Sequence, residues 1–153
     1  MGKIQDVVIK KLITHPDDRG YFREILRDDD NMLSHFGQTA LTKSHPGVIK
    51  AFHWHEDQDD VWYVADGMAR IVLYDRREDS ATNGETQVIY AGDDSAVTIL
   101  IPAGVAHGYQ VLGNKSVLLF YHVTKSYNPA APDEQRIPFD DKTINFDWSI
   151  QNR

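Results

Sequence analysis

A chain of 153 residues has room for one domain with a substantial core and not for two. Its formal net charge of −7, with Asp and Glu spread throughout, argues against duplex nucleic acid, which needs a basic face, although a few placed Arg and Lys can still hold a diphosphate. Cysteine is absent, which excludes disulfides, thiolate metal sites and a cysteine nucleophile and leaves histidine as the reactive group near neutral pH. No apolar run is long enough to span a bilayer, and the N-terminal stretch carries scattered charges unlike a signal peptide. Asp6 stands where a myristoylation motif needs Ser or Thr, so a cytoplasmic location without membrane attachment is expected.

Strand signals dominate. Ile4 to Ile9 is rich in β-branched residues and predicts a strand, and Asp17-Asp18-Arg19-Gly20 reads as a turn ahead of Tyr21-Phe22. Asp28 to Phe36 has room for one or two helical turns. Gln38 to Lys43 and Val48 to His55 are strand-like, separated by His45-Pro46-Gly47, a turn signal. The series continues through Val61 to Val64, Met68 to Tyr74, Thr86 to Tyr90, Val97 to Ile101, Tyr109 to Leu112 and Val117 to Val123, with glycines in the linkers. Asp133 to Trp148 reads as an irregular, acidic tail. Short strands at this spacing predict a single all-β domain, a sandwich or closed barrel, whose strand edges a second copy of the chain would cover.

Two clusters carry the chemistry. In a strand, side chains two apart share a face, so His53 and His55 project together, with Ile49 and Ala51 behind them. Pro102 and Gly104 then shape a tight turn that aims His107 at a fixed point. These clusters resemble the paired motifs of the cupin superfamily: Gly47, His53, His55, Asp60 and Gly67 in the first, with Asp where Glu is commoner, and Pro102, Gly104 and His107 in the second. The resemblance implies a double-stranded β-helix, a jelly-roll barrel with short helices at its periphery and both clusters facing inward.

A narrower resemblance runs from residue 17 to 148. The stretches Asp18 to Glu24, Pro46 to His53, Asp75 to Gly84, Ile101 to Gly108, Tyr121 to Pro129 and Ile144 to Trp148 are similar to the dTDP-4-dehydrorhamnose 3,5-epimerase family. That implies a cofactor-independent epimerase of a nucleotide-linked 4-keto-6-deoxy sugar, acting at C3, C5 or both in deoxysugar or polysaccharide biosynthesis, as a homodimer. By position, His53 matches the family's base and Tyr121 the opposing acid, with His107 and Lys50 polarising the C4 ketone. Arg19 matches a diphosphate-facing arginine. Phe22, Glu24 and Gln38 match nucleotide-holding positions, expected from the neighbouring subunit, and His55 and Tyr127 are further binding candidates. A carbon beside a ketone loses its proton because the carbanion delocalises as an enolate, and an imidazole with a pKa of about 6.5 suits that task.

Three departures from the family pattern carry weight. Asp60 stands where the family has a lysine near the enolate. The C-terminal aspartate that orients the base has no counterpart before Arg153, so Asp60 is expected to hold His53 or His55 instead. Lys50 stands where the family has an arginine and falls, by simple alternation, on the face opposite His53 unless a bulge intervenes. Alternatives stay open: a 3,4-ketoisomerase, a metal-dependent cupin using His53, His55, Asp60 and His107, or a module that only binds sugar. Tyr121 also admits a reading as a core tyrosine, and Arg19 one as a turn residue paired with Asp17 or Asp18.

Overall fold

The computed structural model describes residues 3–152, which form twelve strands: β1 (Val8–Lys11), β2 (His15–Asp17), β3 (Gly20–Phe22), β4 (Gln38–Ser44), β5 (Ile49–Trp54), β6 (Asp60–Asp66), β7 (Met68–Asp75), β8 (Thr86–Gly92), β9 (Val97–Ile101), β10 (Val105–Leu112), β11 (Val117–Val123) and β12 (Gln135–Arg136). Among these residues the only helix is a 3₁₀ turn, Asp28–Asp30, which Asn31 ends in the left-handed conformation. No helix of the described residues is long and apolar enough to cross a membrane.

The strands pair antiparallel into two five-stranded sheets, ordered β1-β9-β6-β11-β4 and β12-β5-β10-β7-β8, with the β2-β3 hairpin apart. From β4 to β12 consecutive strands alternate between the two sheets, except for the β7-β8 hairpin, which is the jelly-roll topology expected. Inward side chains of both sheets, among them Trp62, Val64, Ile71, Leu73, Ile99, Tyr109 and Leu119, form one buried cluster inside the barrel.

A second cluster lies on the outer face of the β5-β10-β7 sheet, where Phe52, Val72 and Ala106 pack against Ile144 and Trp148. Burial on both faces explains why β7 reads as a nearly continuous apolar run instead of alternating. The tail after β12 is irregular, as its Pro and Asp content predicts, yet it is tightly held. Trp148 stacks against Phe52 at 5.6 Å, its indole N–H donates to the Phe139 carbonyl, and the Arg70 guanidinium donates to the Trp148 and Ser149 carbonyls.

Boundaries differ from expectation in two places. Ile4 to Val7 is a turn rather than a strand: Asp6 has φ of 66°, and the Ile4 and Gln5 amides donate to the Gln87 and Thr82 side chains, docking Ile4 into the core. Conversely, β10 begins at Val105, because the Pro102-Gly104 turn feeds directly into the ladder and takes His107 with it.

One irregularity in β5 decides the site. His107 pairs with His53 but Tyr109 pairs with Lys50, so three residue steps on β5 span two on β10. This is a bulge, and it returns Lys50 to the face of His53. Gly108 makes room for it: a Cβ there would lie 2.4 Å from the Ala51 Cβ and 2.8 Å from the Lys50 carbonyl oxygen. The displaced Phe52 amide is not orphaned, since Phe52 and Ile137 exchange backbone hydrogen bonds at 2.7 and 3.0 Å.

Asp75, fully buried at the end of β7, ties three loops together. Its carboxylate accepts from Arg77 Nε at 2.9 Å and from the Ser80 and Thr82 hydroxyls, both at 2.6 Å, while Arg77 reaches back to Asp6 and to the Gln5 carbonyl. Gly104 lacks a Cβ where one would lie 2.6 Å from the Arg77 side chain. Burial alone would raise the Asp75 pKa, but the hydrogen bonds from Arg77, Ser80 and Thr82 outweigh it and hold the carboxyl well below the usual range.

Two outcomes follow from these contacts. Gly108→Ala must push the bulge away and should lower stability by about 1–3 kcal/mol in urea unfolding, with Lys50 displaced. Asp75→Asn should cost about 3 kcal/mol at neutral pH. Because the folded pKa is depressed, that stabilisation is complete above an unfolded carboxyl pKa of about 3.9 and fades as pH falls towards the folded value, so the gap between wild type and variant should narrow steadily below about pH 4. A constant gap across that range would show that the carboxylate's charge is not what stabilises.

Candidate active site

The two sheets splay apart at one end of the barrel around a cavity of about 780 Å³. Alternation puts Gln38 and Thr42 of β4, Asp60 and Trp62 of β6, and Leu119 and Tyr121 of β11 on one wall. Lys50 and His53 of β5 and His107 and Tyr109 of β10 form the facing wall, with the bulge supplying Lys50. The segment from Lys125 to Glu134, leading into β12, makes the rim.

The three histidines sit in different environments. His53 has its Nδ1 sealed from solvent, 3.0 Å from Glu134 Oε1, though off the axis of a regular hydrogen bond. Burial lowers its pKa, with the Glu134 charge opposing, so the ring is neutral near pH 7. His55 donates Nδ1–H to the Asp133 carbonyl, and His107 donates Nδ1–H to the Val105 carbonyl at 3.0 Å. Their Nε2 atoms lie 3.6 and 3.8 Å from the two oxygens of the Asp60 carboxylate. Burial pushes His107 down to about 4 against the pull of Asp60. Trp62 crosses the His107 ring edge-on at 5.1 Å and fixes it.

Asp60 is 4% exposed and accepts hydrogen bonds from Gln58 Nε2 and Trp62 Nε1, at 2.9 and 3.1 Å. Opposite, Tyr121 is half-buried; burial first, then the charges of Asp60 and Glu134, raise its pKa and keep the phenol protonated. Lys50 Nζ rests on the Thr42 hydroxyl at 3.1 Å and is free of any carboxylate within 4.0 Å among the described residues.

The cavity thus collects His53, His55, Asp60, His107, Lys50, Tyr121, Gln38 and Tyr127. Gln38 belongs to the chain's own cavity, where its side-chain oxygen accepts the Tyr127 amide, rather than reaching a neighbour's. Arg19, Phe22 and Glu24 lie elsewhere. Arg19 pairs with Asp17 at 2.6 Å on the exposed hairpin turn, Phe22 is 64% exposed, and Glu24 pairs with Arg27.

Two expected roles change. Of the two imidazoles Asp60 was expected to hold, it faces His55, and His107 as well, but not His53, which instead has Glu134 beside its Nδ1. His107, neutral and with its single N–H spent on Val105, presents a lone pair at Nε2 and has no proton with which to polarise a ketone. Of the four residues expected to converge as metal ligands, three do, and His53 stands apart. Glu134 was missed because it sits in an acidic stretch that reads as surface; only the β12-β5 pairing, Arg136 opposite His53, carries it there.

The chain matches the family described as dTDP-4-dehydrorhamnose 3,5-epimerase over residues 2–153. It is 57% identical over 150 residues to the spore coat polysaccharide biosynthesis protein SpsL of Bacillus subtilis, covering 98% of this chain and 99% of that one. It is 35% identical over 158 residues to a Haloferax volcanii protein named "Probable low-salt glycan biosynthesis epimerase Agl13", covering 99% and 98%. The crystal structure of a dTDP sugar isomerase from Desulfovibrio desulfuricans superposes with a TM-score of 0.88 at 26% identity, covering 95% of this chain and 92% of that one. The Mycobacterium tuberculosis rmlC epimerase superposes at 0.85 with 27% identity, covering 97% and 76%. With a match spanning the described fold and cavity alike, this chain belongs to the dTDP-4-dehydrorhamnose 3,5-epimerase family, a group of isomerase-class sugar-nucleotide enzymes.

Proposed function

We propose that the protein epimerises a nucleotide-diphospho-4-keto-6-deoxy sugar at C3, C5 or both, in polysaccharide or deoxysugar biosynthesis. The observation that carries this reading is the placement of His53 and Tyr121 on facing sheets of one cavity. Inversion needs a base on one side of the ring and a proton donor on the other, and neither residue alone supplies both.

His53 Nε2 takes the proton from the carbon beside the C4 ketone, and the electron pair moves onto the ketone oxygen as an enolate. Burial keeps the imidazole unprotonated and ready, while Glu134 beside Nδ1 stabilises the imidazolium that forms. The enolate carbon then takes the Tyr121 proton from the opposite face, re-forming the ketone; solvent reprotonates the phenolate and relieves His53. Lys50, a basic side chain on the cavity wall, is the group suited to the enolate oxygen. Side-chain proton transfer needs no cofactor, in keeping with the family.

His55, Gln38 and Tyr127 line the same cavity and hold the sugar nucleotide. The cavity's acids, Asp57, Asp60, Asp133 and Glu134, outnumber its lysines, Lys50 and Lys125, so a diphosphate needs positive charge from elsewhere. A homodimer in which the exposed Arg19–Glu24 hairpin segment caps the neighbour's cavity meets that need and gives Phe22 a base to cover. A nucleotide-sugar substrate supports a cytoplasmic location.

Incubation with a dTDP-4-keto-6-deoxy sugar in heavy water, followed by NMR, should reveal deuterium at C3, C5 or both. His53→Ala should slow exchange by about 10²–10⁴-fold. Tyr121→Phe should keep exchange but lose inversion; full turnover by that variant would favour 3,4-ketoisomerisation, which needs no opposite-face donor. Glu134→Gln should lower kcat by about 10–100-fold with KM little changed, and Glu134→Asp should recover part of it. No exchange into any 4-keto sugar nucleotide would reduce the protein to a binding module.

A further inference from the structure

We propose that Asp133 is a positioning residue for the base: it pins the cavity rim to the end of β5 and so holds Glu134 against His53. This rests on the proton-transfer reading above, to which it adds a residue acting through Glu134.

The rim needs such an anchor. Pro129 and Pro132 have no amide hydrogen to give, and among the described residues the amides of Ala130 and Ala131 bond only within the rim, to Asn128. After Tyr127, whose amide donates to Gln38, the next hydrogen bonds from the rim to the barrel wall are those of Asp133. Its carboxylate spans two consecutive amides in the turn that follows β5. The Glu56 N–H donates to Oδ1 at 2.8 Å and the Asp57 N–H to Oδ2 at 3.0 Å. Burial would raise the Asp133 pKa, but these two amides outweigh it and lower the value, so the group stays a carboxylate at neutral pH. Bonds to a charged acceptor are the stronger class. The turn itself is fixed, because the His55 carbonyl accepts the Gly104 amide at 2.7 Å.

The second hold is on the backbone. The Asp133 carbonyl accepts from His55 Nδ1, a bond that a neutral and a protonated ring both allow. That carbonyl belongs to the planar peptide group joining Asp133 to Glu134. Fixing the carboxylate and this oxygen together fixes the plane from which Glu134 departs. On its far side Glu134 runs into β12, where Gln135 pairs with Trp54 and Arg136 with His53. Held at both ends, Glu134 keeps Oε1 at 3.0 Å from His53 Nδ1 although its side chain is 36% exposed. Arg136, 76% exposed, adds only a loose 3.5 Å contact to the other oxygen. A carboxylate so open to water owes its place to the backbone that carries it.

Turnover of a dTDP-4-keto-6-deoxy sugar in heavy water is compared for wild type, Asp133→Ala, Asp133→Asn, Glu134→Gln and Asp133→Ala combined with Glu134→Gln. Asp133→Ala should lower kcat about tenfold with KM changed less than about threefold, and Asp133→Asn, which keeps one acceptor oxygen, should fall in between. In the Glu134→Gln background Asp133→Ala should cost less than about twofold more, because the group it positions is already gone. The His53 ring signals in NMR, identified by their loss in His53→Ala, should move in Asp133→Ala. Unmoved signals would overturn the proposal. So would full kcat in Asp133→Ala beside a slow Glu134→Gln, a loss confined to KM, or a further loss of about tenfold in the double variant; each leaves the proton-transfer reading standing. A Glu134→Gln with full kcat would sink that reading's use of Glu134 and the proposal with it. Should no sugar nucleotide be turned over, the His53 spectrum decides the positioning by itself. Should Asp133→Ala not fold, Asp133→Asn, alone and with Glu134→Gln, is held to the same outcomes.

Discussion

The approach of β5 to Gly108 of β10 is the constraint on which the site rests. A regular strand would send Lys50 and His53 to opposite faces, one into the barrel and one out of it. Three residues spent against two put both inside, and only a residue without a side chain at 108 tolerates the displaced backbone. The outer face then needs its own support. Phe52 points away from the cavity into the tail, where Trp148 covers it, and Ile137 takes up its backbone groups. The tail is thus the buttress that fixes where His53 sits, though none of its residues from 137 onward touches the cavity.

Two carboxylates divide three histidines between two jobs. Glu134 lies against Nδ1 of His53 and favours protonation there, which is what a base needs at the moment it accepts a proton. Asp60 sits deeper, among neutral donors, facing Nε2 of His55 and of His107. Motif spacing groups the three imidazoles as equivalents. Their surroundings separate them: His55 and His107 each commit Nδ1 to a backbone carbonyl, whereas His53 has only the Glu134 carboxylate beside its Nδ1.

The fold was legible because its signals are local. Alternating segments and glycine-bearing turns marked nearly every strand, and the paired His motifs marked the face that becomes the cavity. Where reading by residue failed, the cause was non-local. Ile4 belongs to the core through a turn held by Gln87 and Thr82, far along the chain. Lys50 depends on a bulge that only its neighbour strand reveals. Glu134 reaches His53 through a two-residue strand, too short to register against an acidic background. Arg19, Phe22 and Glu24 matched family positions by sequence, yet they stand outside this chain's cavity, as residues serving a neighbouring copy would.

The sign of the charge at position 60 bears directly on the chemistry. The family pattern carries a lysine there, and a cation near the C4 oxygen favours the enolate. A carboxylate about 5 Å from that oxygen would instead cost about 3 kcal/mol at an effective dielectric of about 20, more than a hundredfold in rate. Lys50 removes that cost by moving onto the oxygen from the Thr42 hydroxyl, since among the described residues no carboxylate lies within 4.0 Å to hold it back. The positive charge the enolate needs therefore reaches the cavity from β5 and not from position 60, and the bulge against Gly108 is what makes that transfer of the cation from one wall to the other workable.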